Sequence, residues 1–245
     1  MEKRIYTIAA NTPVAPAVYR LELTSDGVPG LRAGQFVEVA VPGKYLRRPL
    51  SVSLSEPGRL TLLYKVVGGG TAALAAMEPG AELELLTGLG NGFDIEACRE
   101  KALLIGGGIG VAPLPQLCRD LRAAGKQVWA ILGFNTASEL ILRDELEALG
   151  ATVHVATMDG SAGIRGLVTD ALRQVRPDFD YYYVCGPMPM MRALYPLLPE
   201  AGEFSLEERM GCGTGLCFGC TIATIDGPKR ICHDGPVFKK NMLPW

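Results

Sequence analysis

The chain has 245 residues, 48% hydrophobic and 20% charged, a globular composition with room for two ordinary domains. A formal net charge of -2, with no Lys/Arg run and no interleaving of aromatic with basic residues, argues against a polyanion-binding surface and therefore against nucleic acid as a partner. No window approaches the ~18 consecutive apolar residues of a membrane span, and the N-terminus lacks the apolar core of a secretory signal. The expectation is a cytoplasmic protein with no membrane partner.

Residues 1–99 read as short strands separated by turn residues, at about 4–9, 18–23, 35–41, 50–55, 60–67 and 82–86. Turns such as Ser25-Asp26-Gly27 and Glu56-Pro57-Gly58 punctuate them, and the one helix, 71–77, is stopped by Pro79-Gly80. This pattern predicts a small antiparallel barrel. Two stretches in it can carry chemistry. Arg47-Arg48-Pro49-Leu50-Ser51 places a basic pair at the start of a strand. Leu63-Tyr64-Lys65 runs through Gly68-Gly69-Gly70 into Thr71 and a helix, whose free N–H groups would attract phosphate.

From residue 101 the chain alternates strands (101–105, 127–133, 152–156, 181–184) with helices (113–123, 138–149, 166–175, 189–198), the signature of a parallel-sheet α/β domain over 100–204. Gly106-Gly107-Gly108-Ile109-Gly110 joins the first strand to its helix as a phosphate cradle. It is not a strict G-x-G-x-x-G, and no acidic residue closes the second strand, where neutral Phe134 and Asn135 offer no clamp for a 2′-phosphate. NAD is therefore favoured over NADP. Cys185, Gly186 and Pro187 end a later strand. Cys98 and Cys118 read as structural, His154 and His233 as core or surface residues, and Met188, Met190 and Met191 as helix packing. A further strand is expected at 203–208.

The third segment, 205–245, carries four of the seven cysteines: Cys212, Cys217, Cys220 and, farther on, Cys232. The spacing C-x4-C-x2-C with a distant fourth is that of plant-type [2Fe–2S] ligands, with glycines letting the backbone wrap the cluster and bring N–H groups to its sulfurs. A structural zinc is the alternative, although zinc sites usually pair two C-x2-C knuckles and one is present here. Disulfides suit a small secreted domain better than a chain of this length. A hairpin over 221–231 would return Cys232 to the other three. Residues 210–218 and the apolar tail 241–245 are expected at a partner interface. No acid–base constellation for an organic substrate is present, so no catalytic residue is assigned.

Arg48-Pro49-Leu50-Ser51, the Gly70-Thr71 turn, the GGGIGVAP loop and Cys185-Gly186-Pro187 together resemble the ferredoxin-NADP reductase superfamily. The resemblance implies FAD, with Arg48 on its pyrophosphate, Ser51 near the ring, the strand of Leu63, Tyr64 and Lys65 along the flavin, and Gly70 and Thr71 at the diphosphate. Leu50 stands where many members place a stacking Tyr. It also implies a nicotinamide pocket lined by Gly106, Gly107, Gly108, Gly110, Cys185, Gly186 and Pro187. Over its whole length the chain is similar to the electron-transfer subunit family of bacterial class 1B dihydroorotate dehydrogenases. That similarity implies an FMN-containing catalytic partner in a heterotetramer of two subunits of each kind. Electrons would pass from FMN through a [2Fe–2S] cluster and FAD to NAD+ in pyrimidine biosynthesis. A diaphorase-type subunit of a sulfhydrogenase or of a ferredoxin:NADP oxidoreductase complex has the same parts, and a zinc-stapled binding module is the non-redox alternative.

Overall fold

The computed structural model describes residues 1–245. Alternate residues on neighbouring strands point inward in its first part: Leu21 and Leu23, Val37 and Val39, Leu60 and Leu62, Leu83 and Leu85 are all essentially solvent-free. This two-residue period closes six antiparallel strands into a barrel, β1 (Glu2–Ala15), β2 (Val18–Thr24), β3 (Phe36–Ala40), β4 (Arg48–Glu56), β5 (Arg59–Lys65) and β6 (Glu82–Leu89), in the order β1-β2-β5-β4-β3-β6. Each buried leucine contributes about 1.5–3 kcal/mol. Between β5 and β6 lies helix α1 (Gly69–Ala75). β1 runs six residues beyond the expected end because Asn11 is used, not exposed: its amide donates to the carbonyls of Leu74 and Met77, and its Oδ1 accepts from the Tyr64 hydroxyl.

The second part holds β7 (Lys101–Gly107), α2 (Leu114–Ala123), β8 (Gln127–Phe134), α3 (Arg143–Ala148), β9 (Thr152–Thr157), β10 (Ile164–Arg165), α4 (Val168–Val175), β11 (Tyr181–Cys185), α5 (Met188–Leu194) and β12 (Gly202–Ser205). The third holds β13 (Thr221–Thr224), β14 (Gly227–Arg230), α6 (Ile231–Asp234) and β15 (Val237–Lys239). One seven-stranded sheet runs β10-β9-β8-β7-β11-β12-β15, parallel except for β15. Its order reverses between β7 and β11, and at such a switch point the C-terminal strand ends open a crevice.

Three expectations change. The helix expected over 138–149 is a short turn, Ala137–Glu139, followed by α3, because Leu140, Ile141 and Leu142 are consecutive and all packed against the core, which one helical face cannot arrange. Leu142 takes a left-handed φ of 67° to make that break. The strand expected over 203–208 stops at Ser205, after which residues 207–209 are exposed. The apolar tail is partly committed within the chain: Leu243 is buried and the Trp245 ring packs edge-on against Tyr195 and Phe204, while Asn241 and Pro244 are exposed.

Barrel and sheet share one apolar core, since Val18, Ala33 and Leu63 pack with Leu104, Leu117 and Tyr183. The Ser55 N–H donates to Gln116 Oε1 (2.9 Å), Arg119 donates to the Ser55 carbonyl (2.8 Å), and Arg20 pairs with Glu145 across the same seam. This seam fixes the barrel relative to the crevice. No helix is long and apolar enough to cross a membrane.

Candidate functional site

The seam opens into a cleft of about 350 Å³. Arg48, Pro49, Leu50 and Ser51 from the start of β4, Leu63, Tyr64 and Lys65 from the end of β5, and Thr71 all line it. The adjacent arginines have separate tasks. Arg47 is tied into the barrel through an ion pair with Glu84, whereas the Arg48 guanidinium crosses over Gly70, at a distance that a Cβ there would not allow. Just ahead of α1 the N–H groups of Val67 and Gly68 donate to Thr71 Oγ1 (2.9 and 3.3 Å), which fixes the turn that leads into the helix. Tyr64 does not supply the aromatic face missing at Leu50. Its ring stacks on Tyr19, 5.6 Å away, inside the barrel. The opposite wall comes from Ile109 and Ala112, and from Ser205 to Glu208 with Met210 and Pro236, positions with no motif of their own.

A second cleft, of about 290 Å³, lies outside the C-terminal ends of β7 and β8. Gly107, Gly108 and Pro187 line it. Gly106 and Cys185 face each other in the β7–β11 register beneath it. Gly110 meets Gly186 backbone to backbone; a Cβ at 110 would come within 2.5 Å of the Gly186 Cα, so the loop can seat against β11 only without a side chain. Cys185 is buried, and burial pushes its thiol up to about 12 against a lowering bond from Ser205, so it stays a neutral packing group. Most of the other lining residues carry no sequence motif. Met190, read from sequence as packing, borders the cleft, and so does Glu139.

The four cysteines converge on one loop. Cys220 and Cys232 are buried, Cys212 is half-buried and Cys217 exposed. They fall into two pairs. The Cys217 N–H donates to Cys212 Sγ and the Cys232 N–H to Cys220 Sγ, each at 3.4 Å. Further N–H groups reach the sulfurs: Thr214 to Cys212 (3.4 Å), Gly215 to Cys232 (3.1 Å) and Gly219 to Cys217 (3.4 Å). Two thiol pairs ringed by N–H donors suit a dinuclear iron–sulfur body, in which each iron takes two thiolates. Burial raises the Cys212 thiol, but the Thr214 and Cys217 N–H groups outweigh it and favour the thiolate. Cys232, more deeply placed beside Cys220, is held protonated in the free protein. The hairpin β13–β14 returns the chain as expected, except that Cys232 sits on the single turn α6 rather than at a strand end. Gly213 has φ of 67° and faces Glu38, whose buried carboxylate a Cβ would strike at 2.5 Å. The loop is thus molded to the barrel wall, and Met210 and Pro236, on either side of the cysteines in sequence, both line the first cleft.

Residues 207–243 match the family described as the iron-sulfur cluster binding domain of dihydroorotate dehydrogenase B, and residues 104–195 the oxidoreductase NAD-binding domain. Among curated relatives, the chain is 44% identical over 246 residues to the dihydroorotate dehydrogenase B (NAD(+)) electron transfer subunit of Bacillus caldolyticus, covering 95% of each chain. It is 40% identical over 248 residues to the subunit of the same name from Lysinibacillus sphaericus, covering 96% of each. Among solved structures it is similar to a chain of the NADH-dependent reduced ferredoxin-NADP oxidoreductase, at TM-score 0.89 and 32% identity, covering 98% of this chain and 90% of that one. The flavohemoglobin of Malassezia yamatoensis, at TM-score 0.70 and 21% identity over 80% of this chain and 56% of that one, shares the fold.

Proposed function

This chain belongs to the family of dihydroorotate dehydrogenase B electron transfer subunits, and from that membership we infer that it carries electrons between a catalytic subunit and NAD+ through an iron–sulfur cluster and FAD. The observation that carries the reading is the pairing of Cys212 with Cys217 and Cys220 with Cys232 on a loop whose flanks, Met210 and Pro236, form part of the barrel cleft. Bound flavin supplies the exchange between a two-electron hydride carrier and a one-electron centre.

The chain's own residues bind and orient. The two thiol pairs would hold the cluster's irons, and the N–H groups of Thr214, Gly215 and Gly219, which donate to the cysteine sulfurs, would stabilise negative charge there. Arg48 holds the FAD diphosphate beside Gly70 and Thr71, with Pro49, Leu50, Ser51, Leu63, Tyr64 and Lys65 along the flavin. Gly106, Gly107, Gly108 and Gly110, with Cys185, Gly186 and Pro187, seat the NAD+ phosphates and nicotinamide. No side chain acts as a chemical catalyst here.

The functional division is FAD barrel 1–99, NAD-binding unit 100–204 and cluster unit 205–245, the last lending β15 to the sheet of the second. The partner is an FMN-containing catalytic subunit that oxidises dihydroorotate in pyrimidine biosynthesis, in a heterotetramer of two of each. It docks on the cluster loop, where Leu216 is 82% and Phe218 64% exposed beside exposed Cys217. A cytoplasmic setting accords with seven cysteines free of disulfides. A ferredoxin:NADP-type assembly is the second reading, favoured by the solved structure at 32% identity. The 40–44% identity to the dihydroorotate dehydrogenase B subunits outweighs it. Purified protein is expected to show flavin and [2Fe–2S] absorbance bleached by NADH; colourless protein carrying zinc overturns the proposal. Co-purification with an FMN-containing rather than a ferredoxin-linked subunit separates the two readings.

A further inference from the structure

Sequence places no acidic residue at the end of β8, yet the fold brings one there. After Phe134 the chain turns through Ala137–Glu139, and the half-buried Glu139 side chain folds back so that its Oε2 accepts from the Asn135 N–H (3.2 Å) and from Asn135 Nδ2 (2.8 Å). The carboxylate is thereby fixed in the wall of the second cleft, outside the strand next to the Gly107-Gly108 turn. Both bonds fall on this one oxygen, Oε2. No lysine or arginine lines this cleft, so Glu139 is its one charged group, and a cation, Lys65, lines a smaller adjoining pocket on the barrel side of Glu139. On the far wall Met158 and Leu167 leave 56% and 52% of their surface exposed, an apolar rim suited to a flat heterocycle.

We propose that Glu139 is the residue that selects NAD(H) over NADP(H), its carboxylate accepting a hydrogen bond from the 2′-hydroxyl of the adenosine ribose while Asn135 holds it in place. In a doubly wound sheet the ribose of a dinucleotide lies off the end of the second strand when its phosphates lie over the first glycine turn, which is where the clamp sits. A carboxylate there bonds a hydroxyl and repels a phosphate, and no cation lines the cleft itself to relieve the repulsion. Asn135 is the positioning residue and Glu139 the one that touches the nucleotide.

The inference rests on the reading of this cleft as the NAD site. Its test is steady-state flavin reduction by NADH and by NADPH in the holo-complex, with Glu139→Gln and Asn135→Ala beside the parent protein. Loss of a charge-assisted bond is worth about tenfold to a hundredfold. Glu139→Gln is therefore expected to raise KM for NADH by about that factor and to lower KM for NADPH, with flavin and cluster absorbance unchanged. Asn135→Ala should raise KM for NADH less and give NADPH little. A Glu139→Gln protein whose NADH:NADPH preference equals that of the parent overturns the role of Glu139 and leaves the site standing. A parent protein whose flavin neither nucleotide reduces overturns the site itself.

Discussion

Single side chains here are separable by what they hold. Cys217 is the exposed member of the four proposed ligands and contributes nothing to the core, so Cys217→Ser should lose the cluster absorbance while the protein stays folded, binds flavin and is still bleached by NADH at the flavin band. Loss of flavin reduction along with the cluster would show that the two centres are not separate. Glu203 is a buried polar residue of another kind. It is 4% exposed, and burial raises its carboxyl to about 7 despite a bond from the Asp94 N–H and the nearby Lys239 ammonium. Its unfolded value is the ordinary 4.5. Below that pH both states are protonated and it costs nothing. Between 4.5 and about 7 the folded chain holds a proton the unfolded chain has lost, so stability falls as pH rises, by at most about 3 kcal/mol when complete. Glu203→Gln keeps the acceptor for Asp94 and removes the titration. Its melting temperature should match the parent at pH 4.5 and exceed it above pH 7. Parallel melting curves across that range would refute the assignment.

Elements differ in how openly the sequence declares them. The barrel is legible because leucine and valine alternate on strands that bury one face, and the parallel sheet because strand and helix periods alternate at regular intervals. The proposed cluster ligands stand out because cysteine spacing of this kind encodes wrapping around a small body. What stays hidden depends on the chain returning on itself. Asn11 looks like a strand terminator until α1 supplies its partners, β15 is three residues long and finds its place only against β12, and Glu139 reaches the end of β8 only because Leu140 to Leu142 break the expected helix. Met190 and the Ser205 to Glu208 wall border clefts without belonging to any motif. Helix ends yield a prediction of their own. α4 closes on Arg176, exposed and in the left-handed region at φ 49°, its N–H bonded to the Leu172 carbonyl. Glycine takes that conformation without the Cβ clash, so Arg176→Gly should stabilise by roughly 0.5–1 kcal/mol, a rise of about 1–4 °C in melting temperature. A fall measured by circular dichroism would mean that the Arg176 side chain, which donates to the Arg173 carbonyl, matters more than the cap.

For the whole molecule, position determines direction. The proposed nucleotide cleft opens at Gly107 and Gly108 of the β7 glycine turn, and the barrel cleft is bordered by the Ile109 that follows them. The cysteine loop shares a wall with the barrel cleft and points its tip outward. Electrons entering at that tip would therefore meet the proposed cluster first, the flavin second and the nucleotide last. The tip has one property that its own fold does not require. Phe218 is 64% exposed and left-handed at φ 58°, with the Arg230 guanidinium 5.0 Å from its ring centroid. An aromatic residue in that conformation costs about 1–2 kcal/mol, and an exposed ring recovers little of it within the chain. A partner that covers the ring would recover more. Asparagine tolerates the same backbone and lacks the apolar surface, so Phe218→Asn should leave melting temperature and NADH-dependent flavin bleaching unchanged or improved. It should weaken association with the purified catalytic subunit about tenfold to a hundredfold, as loss of an interface aromatic does. Calorimetric titration of the two subunits reads this directly, and an unchanged Kd would mean that the partner docks elsewhere and that electrons enter by another face.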